Sequence, residues 1–359
     1  YISSSADDVV SGHGPYRMLP AKTYFTLEAG NDKFHSERGM PNVLTYEGFK
    51  RTYSPEGMWP QSHEWGIHDY TLEGAQGATS FNEIIAEGYG KPQSAQEFAE
   101  LAQWVNYDGH RSLFESRSKN RMGLLMWMSH SCWPSMVWQT YDYYLEPTAA
   151  YFAIKKASEP LHIQWNPATD EVEVVNYSAG KRNNLTAKVQ ILNMDGSIAW
   201  EKSATVNSLE DTTEKCIALE YPQNLSQVHF IKLWLIENGK VVSDNFYHRS
   251  LKENNYQALK ELPQVTLDCQ SATQQDEQGN WKATVTLKNP ATVPALMIRI
   301  NITGDKDGDQ FLPILYSDNY FALLPGEQKE ISIRWKDVDT RGNAPVITVS
   351  GYNVARTSK

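Results

Sequence analysis

From Ser94 to Ser118 the apolar residues Phe98, Leu101, Ala102 and Val105 fall three or four apart. That spacing predicts an amphipathic helix with one buried stripe. Ser94 stands at the N-cap position with Glu97 three residues on, the pattern of a capping box. The next apolar segment has another rhythm: Gly123-Leu-Leu-Met-Trp-Met128 is continuous, as in a strand buried on both faces. Pro147-Thr-Ala-Ala-Tyr-Phe-Ala-Ile-Lys-Lys156 then places a proline near the start of a further helix. Loop-like stretches such as Ser11–Tyr16 and Tyr53–Pro60 separate these elements. Strand, long loop, helix, strand, loop and helix in that order belong to α/β architecture.

Beyond Ala157 the period shortens. Glu171–Val175, Ala187–Leu192 and His229–Ile236 are short β-rich runs, divided by turn signals at Asn193-Met-Asp-Gly196 and Glu237-Asn-Gly239. A polar stretch from Ser250 to Gln264 reads as a linker, after which Val265–Leu267, Trp281–Leu287, Leu296–Ile300 and Glu330–Arg334 resume the same texture. The pattern predicts three domains: residues 1–157 of α/β type, then antiparallel sandwiches over 158–260 and 261–359.

Composition narrows the chemistry. A formal net charge of −10 over 359 residues, without a Lys/Arg-rich run, argues against nucleic acid as a partner. No stretch reaches the roughly 20 apolar residues that cross a bilayer, so no membrane partner is expected. The first residues, Tyr-Ile-Ser-Ser-Ser, lack the features of a signal peptide, and an export signal for a periplasmic or secreted protein would lie outside the chain. Cys132, Cys216 and Cys269 show no metal-ligand spacing. Eleven Trp and nineteen Tyr are a heavy aromatic load, suited to cores and equally to stacking on sugar rings. The four Asn-x-Ser/Thr sequons, at Asn176, Asn184, Asn224 and Asn301, lie in the sandwich region.

The segment Phe34-His35-Ser36-Glu37-Arg38-Gly39-Met40-Pro41-Asn42 sets a carboxylate among small and polar neighbours, after a candidate strand and before a loop. It resembles the nucleophile motif of glycoside hydrolase family two, in particular the Phe-x-Ser-Glu-x-Gly pattern of its exo-β-glucosaminidase and β-mannosidase branches. Met126–Gln139 with Tyr141-Asp-Tyr-Tyr144 is similar to that branch's eighth barrel strand and aromatic loop. Tyr316–Glu327 followed by Ser350-Gly-Tyr-Asn353 is similar to its terminal sandwich. The resemblance implies a multidomain chain: the C-terminal part of a (β/α)8 TIM barrel, then two immunoglobulin-like antiparallel β-sandwiches.

It also implies a retaining, exo-acting β-glycosidase working by double displacement on a carbohydrate substrate. Glu37 would be the nucleophile, and a second carboxyl roughly 5 to 5.5 Å away the acid/base. In the family that second residue follows an Asn upstream of the nucleophile, so it is expected to lie before this chain begins. Glu28 and Glu47 lack that context, and Asn82-Glu83 comes after the nucleophile. Family position makes Trp127 and Trp138 candidates for a sugar platform, with Trp133 beside them and His130 where relatives carry Asn or Asp. His13, Tyr16, His35 and Asp69 lie in segments able to reach the pocket. No cofactor or metal is required by this chemistry. A different reading is a non-catalytic carbohydrate-binding or dimerisation module derived from such an enzyme. Because a partial barrel leaves strand edges and apolar faces open, self-association or poor order at the N-terminal end is expected of the chain alone. Light scattering that finds a well-behaved monomer would count against this.

Overall fold

The computed structural model describes residues 3–6, 9–12, 14, 16–26, 33–70, 80–118, 123–136, 138–306 and 308–359, Ser80 by its backbone alone. It divides into two compact units. The first takes in the described residues up to Tyr143 with Pro147–Asn193 and Ile198–Gln257, and the second Tyr144–Glu146, Met194–Ser197 and Ala258–Lys359.

The first unit opens with parallel pairing. Val10 runs beside Phe34 in a parallel bridge, and β1 (His35–Arg38) pairs parallel with β2 (Leu124–Met126). Helix α1 (Ala21–Thr26) lies between Val10 and β1 in sequence. Helices α2 (Tyr46–Thr52), α3 (Pro55–Met58), α4 (His63–Ile67), α5 (Ser80–Gly88) and α6 (Ala95–Glu115) lie between β1 and β2, and α7 (Ala149–Ala157) follows. Parallel neighbours joined through helices are the α/β alternation expected from the sequence. Among the described residues this sheet has two strands and does not close into a barrel. The expectation that the Gly123–Met128 run is covered on both faces fails at Leu125, which is 55% exposed. Among the described residues, β2 has a strand neighbour on one side only.

Helix α6 begins where its capping residue predicts. The Ser94 hydroxyl accepts from the Glu97 amide at 3.1 Å, while the Glu97 carboxylate accepts from the Gln93 amide at 2.6 Å, one residue outside the usual box. The helix buries Phe98, Leu101, Ala102, Val105 and Leu113. Its polar residues serve neighbouring backbone. Asn106 both donates to the Val43 carbonyl (2.8 Å) and accepts from the Val43 amide (3.1 Å), and Gln103 accepts from the Ala149 amide at the start of α7 (3.0 Å). The irregular segment after β1 is thereby supplied with the hydrogen bonds its buried backbone requires.

An immunoglobulin-like sandwich completes the first unit. A sheet in the order β3 (Leu161–Asn166), β4 (Glu171–Asn176), β7 (Thr212–Ala218) faces one in the order β6 (Ile198–Ser208), β5 (Arg182–Asn193), β8 (Val228–Glu237), β9 (Lys240–Ser250), antiparallel throughout. Alternate residues such as Val172, Val174, Ala187, Val189, Ile231 and Leu233 form the core between them. The stretch read as a linker is more ordered than its composition suggests: Tyr256 and Leu259 are buried, the latter in a 3-10 turn over Gln257–Glu261. The sequon residue Asn176 is also fully buried and donates to the Gly180 carbonyl.

The second unit is an eight-stranded sandwich of two four-stranded antiparallel sheets. One runs β10 (Asp268–Gln275), β11 (Asn280–Lys288), β15 (Gln328–Lys336), β13 (Leu315–Tyr316). The other runs β14 (Phe321–Leu323), β12 (Ala295–Gly304), β16 (Pro345–Gly351), β17 (Val354–Ser358). Ala283, Val285, Ile300, Ile302, Ile331 and Ile333 are buried in it, as the alternation of these strands requires.

Within the first unit, α6 and the sandwich meet through buried charge. His162 of β3 is completely buried, with Nε2 3.1 Å from Glu115 Oε1 and Nδ1 3.2 Å from Glu159 Oε2. Both ring nitrogens thus lie within hydrogen-bond distance of a carboxylate oxygen. Burial opposes a charge on the ring, but the hydrogen bonds and charges of Glu115 and Glu159 outweigh it and raise the His162 pKa. A raised folded-state pKa stabilises the fold fully below the unfolded value of about 6.5 and ceases to do so as pH rises through the folded value. Denaturant unfolding across this range should show stability falling as pH rises. His162→Gln should cost about 1–3 kcal/mol below neutrality and flatten the slope. An unchanged slope would exclude His162 as its source.

Candidate active site

Glu37 sits near the C-terminal end of β1, half-buried, and both its oxygens are held. The Tyr16 hydroxyl donates to Oε2 at 2.8 Å, and the Ser5 hydroxyl donates to Oε1 at 3.1 Å. Tyr16 also lies 2.9 Å from the Gly12 carbonyl, and its ring meets the Trp138 ring edge-on with centroids 5.7 Å apart. Burial, then the hydrogen bond to Glu37 and its negative charge, push the Tyr16 phenol up to about 12, so it keeps its proton and remains a donor at neutral pH. A half-buried carboxylate with a donor on each oxygen is fixed in plane and direction. Such a group can serve as an oriented nucleophile or as a binding carboxylate.

The two ends of the strand, His35 and Arg38, are buried. Arg38 Nη1 lies 3.2 Å from His35 Nε2, and since a guanidinium only donates, His35 accepts there. His35 is thus turned to Arg38 in the interior, and burial lowers the Arg38 pKa. Beyond Arg38 the chain passes β2 at very close range. The Trp127 amide donates to the Arg38 carbonyl at 2.9 Å, and a Cβ at Gly39 would stand 1.9 Å from the Trp127 carbonyl oxygen. Only glycine permits this approach.

The aromatic segment after β2 brings the remaining candidates into two groups. Trp127 is 44% exposed, and the Met128 amide that follows it donates to the Trp138 carbonyl at 3.1 Å. Trp138 has φ +76°, an uncommon conformation for a tryptophan, and turns its ring to Tyr16. Glu37, Tyr16, Trp138 and Trp127 therefore form one connected group. Trp133, 40% exposed, belongs to another: its ring stacks on His68 at 5.7 Å, and His68 Nδ1 donates to the Pro134 carbonyl at 2.6 Å. Asp69 joins that second group through a hydrogen bond from Ser135, which opposes the rise in its pKa caused by burial. His130 is exposed, in a bridge with Tyr141. His13 lies outside the described residues, as does Glu28. Asn82 bonds Gln61 and Tyr70, a structural role in α5, and Glu47 occupies the first turn of α2.

Sequence reasoning did not identify Ser5 or Gly12 as parts of the site. Both are small residues, used for a single hydroxyl and for close backbone approach, features without a spacing signature. Gly39, within the nucleophile-like segment, was legible as a glycine but not as the point where two strands nearly touch. Among the described residues no group of three His, Cys, Asp or Glu side chains is arranged as metal ligands would be. None of the described helices is long and apolar enough to cross a membrane.

Gly39→Ala should therefore displace β1 from the Trp127 backbone and cost about 1–3 kcal/mol of stability, as overpacking does. Thermal unfolding of the variant checks this, and a wild-type melting curve would refute the close approach.

Comparison with known proteins fits this geometry. Residues 245–354 match the family described as the exo-β-D-glucosaminidase Ig-fold domain. An exo-β-D-glucosaminidase of Streptomyces avermitilis is 30% identical over 95% of this chain and 42% of its own length. A mannosylglycoprotein endo-β-mannosidase of Lilium longiflorum is 24% identical over 95% of this chain and 44% of its own. The crystal structure of an exo-chitosanase of Amycolatopsis orientalis superposes with a TM-score of 0.91 at 25% identity, covering 98% of this chain and 46% of that one. The chain thus spans less than half the length of these relatives. Over nearly its whole length it fits the C-terminal portion of a glycoside hydrolase family two enzyme, similar to exo-β-D-glucosaminidases and β-mannosidases.

Proposed function

We propose that this chain carries the nucleophile of a retaining, exo-acting β-glycosidase and that Glu37 is that nucleophile. The observation that carries the reading is the Glu37 carboxylate, held on both oxygens at the C-terminal end of a parallel strand beside Trp138 and Trp127. Catalytic groups of TIM barrels occupy that end of the strands. In this reading residues 1–157 are the closing βα units of such a barrel, 158–260 and 261–359 are its immunoglobulin-like sandwiches, and the acid/base carboxyl comes from sequence upstream. The relatives named for glucosaminidase activity, and the Amycolatopsis enzyme solved with p-nitrophenyl β-D-glucosamine, favour a β-linked amino sugar as substrate.

The chemistry follows from the two-carboxyl design. A Glu37 oxygen forms a bond to the anomeric carbon as the bond to the leaving oxygen breaks, and the acid carboxyl protonates that oxygen. Water then attacks the anomeric carbon, gives its proton to the same second carboxyl, and releases Glu37 as a carboxylate with net retention. Trp127 and Trp138 offer flat faces to the sugar, and Tyr16 keeps the nucleophile aimed.

The test uses the chain extended upstream by its natural sequence to the length of its relatives. Hydrolysis of p-nitrophenyl β-D-glucosaminide should fall by about a thousandfold or more on Glu37→Gln. A 2-fluoro mechanism-based sugar should label Glu37, located by peptide mass spectrometry. A label on another carboxylate, or activity retained by Glu37→Gln, would reject the assignment.

A further inference from the structure

The loop ahead of β1 is built around the Glu37 carboxylate. Tyr16 and Ser5 reach different oxygens of it, and both are tied to one glycine. Gly12 gives its carbonyl to the Tyr16 hydroxyl, and a Cβ on Gly12 would stand 2.3 Å from the Ser5 carbonyl oxygen, so the two backbones are in direct contact. That same Ser5 carbonyl accepts from the Ser36 hydroxyl at 2.7 Å, from the residue just before Glu37. Ser5 is exposed, yet its backbone is clamped between Gly12 and Ser36 and its hydroxyl has one acidic acceptor. Gly12 and Ser36 thus meet at the Ser5 carbonyl, while the Ser5 hydroxyl reaches Oε1 of the carboxylate.

We infer that Ser5 is a positioning residue for Glu37, holding Oε1 and favouring the charged carboxylate over the esterified one. This rests on the reading of Glu37 as nucleophile. Glu37 is charged in the free enzyme, neutral in the glycosyl ester, and charged again when the ester is hydrolysed. A hydroxyl hydrogen-bonded to Oε1 stabilises the two charged ends of the cycle relative to the ester. Its main catalytic effect falls on the second step, where it assists departure of Glu37 from the anomeric carbon. On the first step it is neutral or slightly opposing, because it stabilises the attacking group before attack. Tyr16 supports the other oxygen but has one proton and two acceptors, Glu37 Oε2 and the Gly12 carbonyl, whereas Ser5 keeps a donor on Oε1.

The experiment compares Ser5→Ala, Ser5→Thr and Gly12→Ala in the upstream-extended protein, using aryl β-D-glucosaminides with a good leaving group and pre-steady-state kinetics. Ser5→Ala should lower kcat about three- to tenfold, the loss of one solvent-facing hydrogen bond, with KM falling in parallel so that kcat/KM changes little. A burst of aryl alcohol should appear or grow as glycosyl-enzyme accumulates. Ser5→Thr, which retains the hydroxyl, should restore kcat, and Gly12→Ala, which displaces the Ser5 backbone, should reproduce the Ser5→Ala pattern. Loss of kcat/KM without a fall in KM would mean a loosened site, and unchanged kcat would mean no contribution. Either result overturns the role of Ser5 while fluorosugar labelling of Glu37 still stands. If the label falls elsewhere, the nucleophile reading fails first and Ser5 with it.

Discussion

Glu115 carries the contact on which the first unit depends. It ends α6, is buried, and accepts from Asn245 Nδ2 at 2.7 Å, the Tyr247 hydroxyl at 3.0 Å and His162 Nε2 at 3.1 Å, all from the sandwich. Arg111, one turn earlier on the helix, lies over the Tyr247 ring at 4.0 Å and donates to Asn245 Oδ1 at 3.1 Å. Unpaired, any of these charges would cost several kcal/mol to bury, so the network is stable only when complete. It sets the register of α6 against strands β3 and β9 with a directionality that apolar packing alone does not provide. The same helix supplies Gln103 and Asn106 to the backbone that follows β1. Helix α6 therefore links the buried charge at its C-terminal end to the segment leaving the candidate nucleophile.

The site is built from backbone proximity as much as from side-chain chemistry. Gly39 lets β1 and the Trp127 peptide approach closely, which sets Trp127 beside the end of the strand that bears Glu37. Gly12 does the same for the loop carrying Ser5 and Tyr16. Both glycines leave room where a side chain would push apart the groups around Glu37. The carboxylate gains its orientation from neighbours, while its strand gains rigidity from the buried Arg38–His35 pair beneath it. The candidate site thus combines a held carboxylate with the half-exposed aromatic side chain of Trp127.

Much of the fold was legible because its elements obey simple periodicities. The Ser94 cap and the stripe from Phe98 to Val105 mark α6 without reference to anything else, and alternation marks β4, β5, β11 and β15. Where one element is covered by another, the signal was incomplete. The run around Leu125 read as doubly buried because continuous apolarity does not say whether a neighbour is present. The Ser250–Gln264 stretch read as a linker because its few apolar residues, Tyr256 and Leu259 among them, are diluted by charge, although those are the ones that are buried.

The amino-acid sequence by itself marked the long helix, most of the strands, the family resemblance and the candidate nucleophile, since each rests on local spacing or on a short motif of fixed order. Only the tertiary structure decided which candidates meet. It joined Glu37 to Tyr16 and Trp138, set Trp133 and Asp69 in a separate group, turned His35 inward to Arg38, and brought in Ser5 and Gly12, which no motif contains. The reason is physical: a hydrogen bond depends on distances of a few tenths of an ångström between residues far apart in the chain. Those distances are fixed by backbone contact and packing, which short-range patterns of hydrophobic and polar residues do not encode.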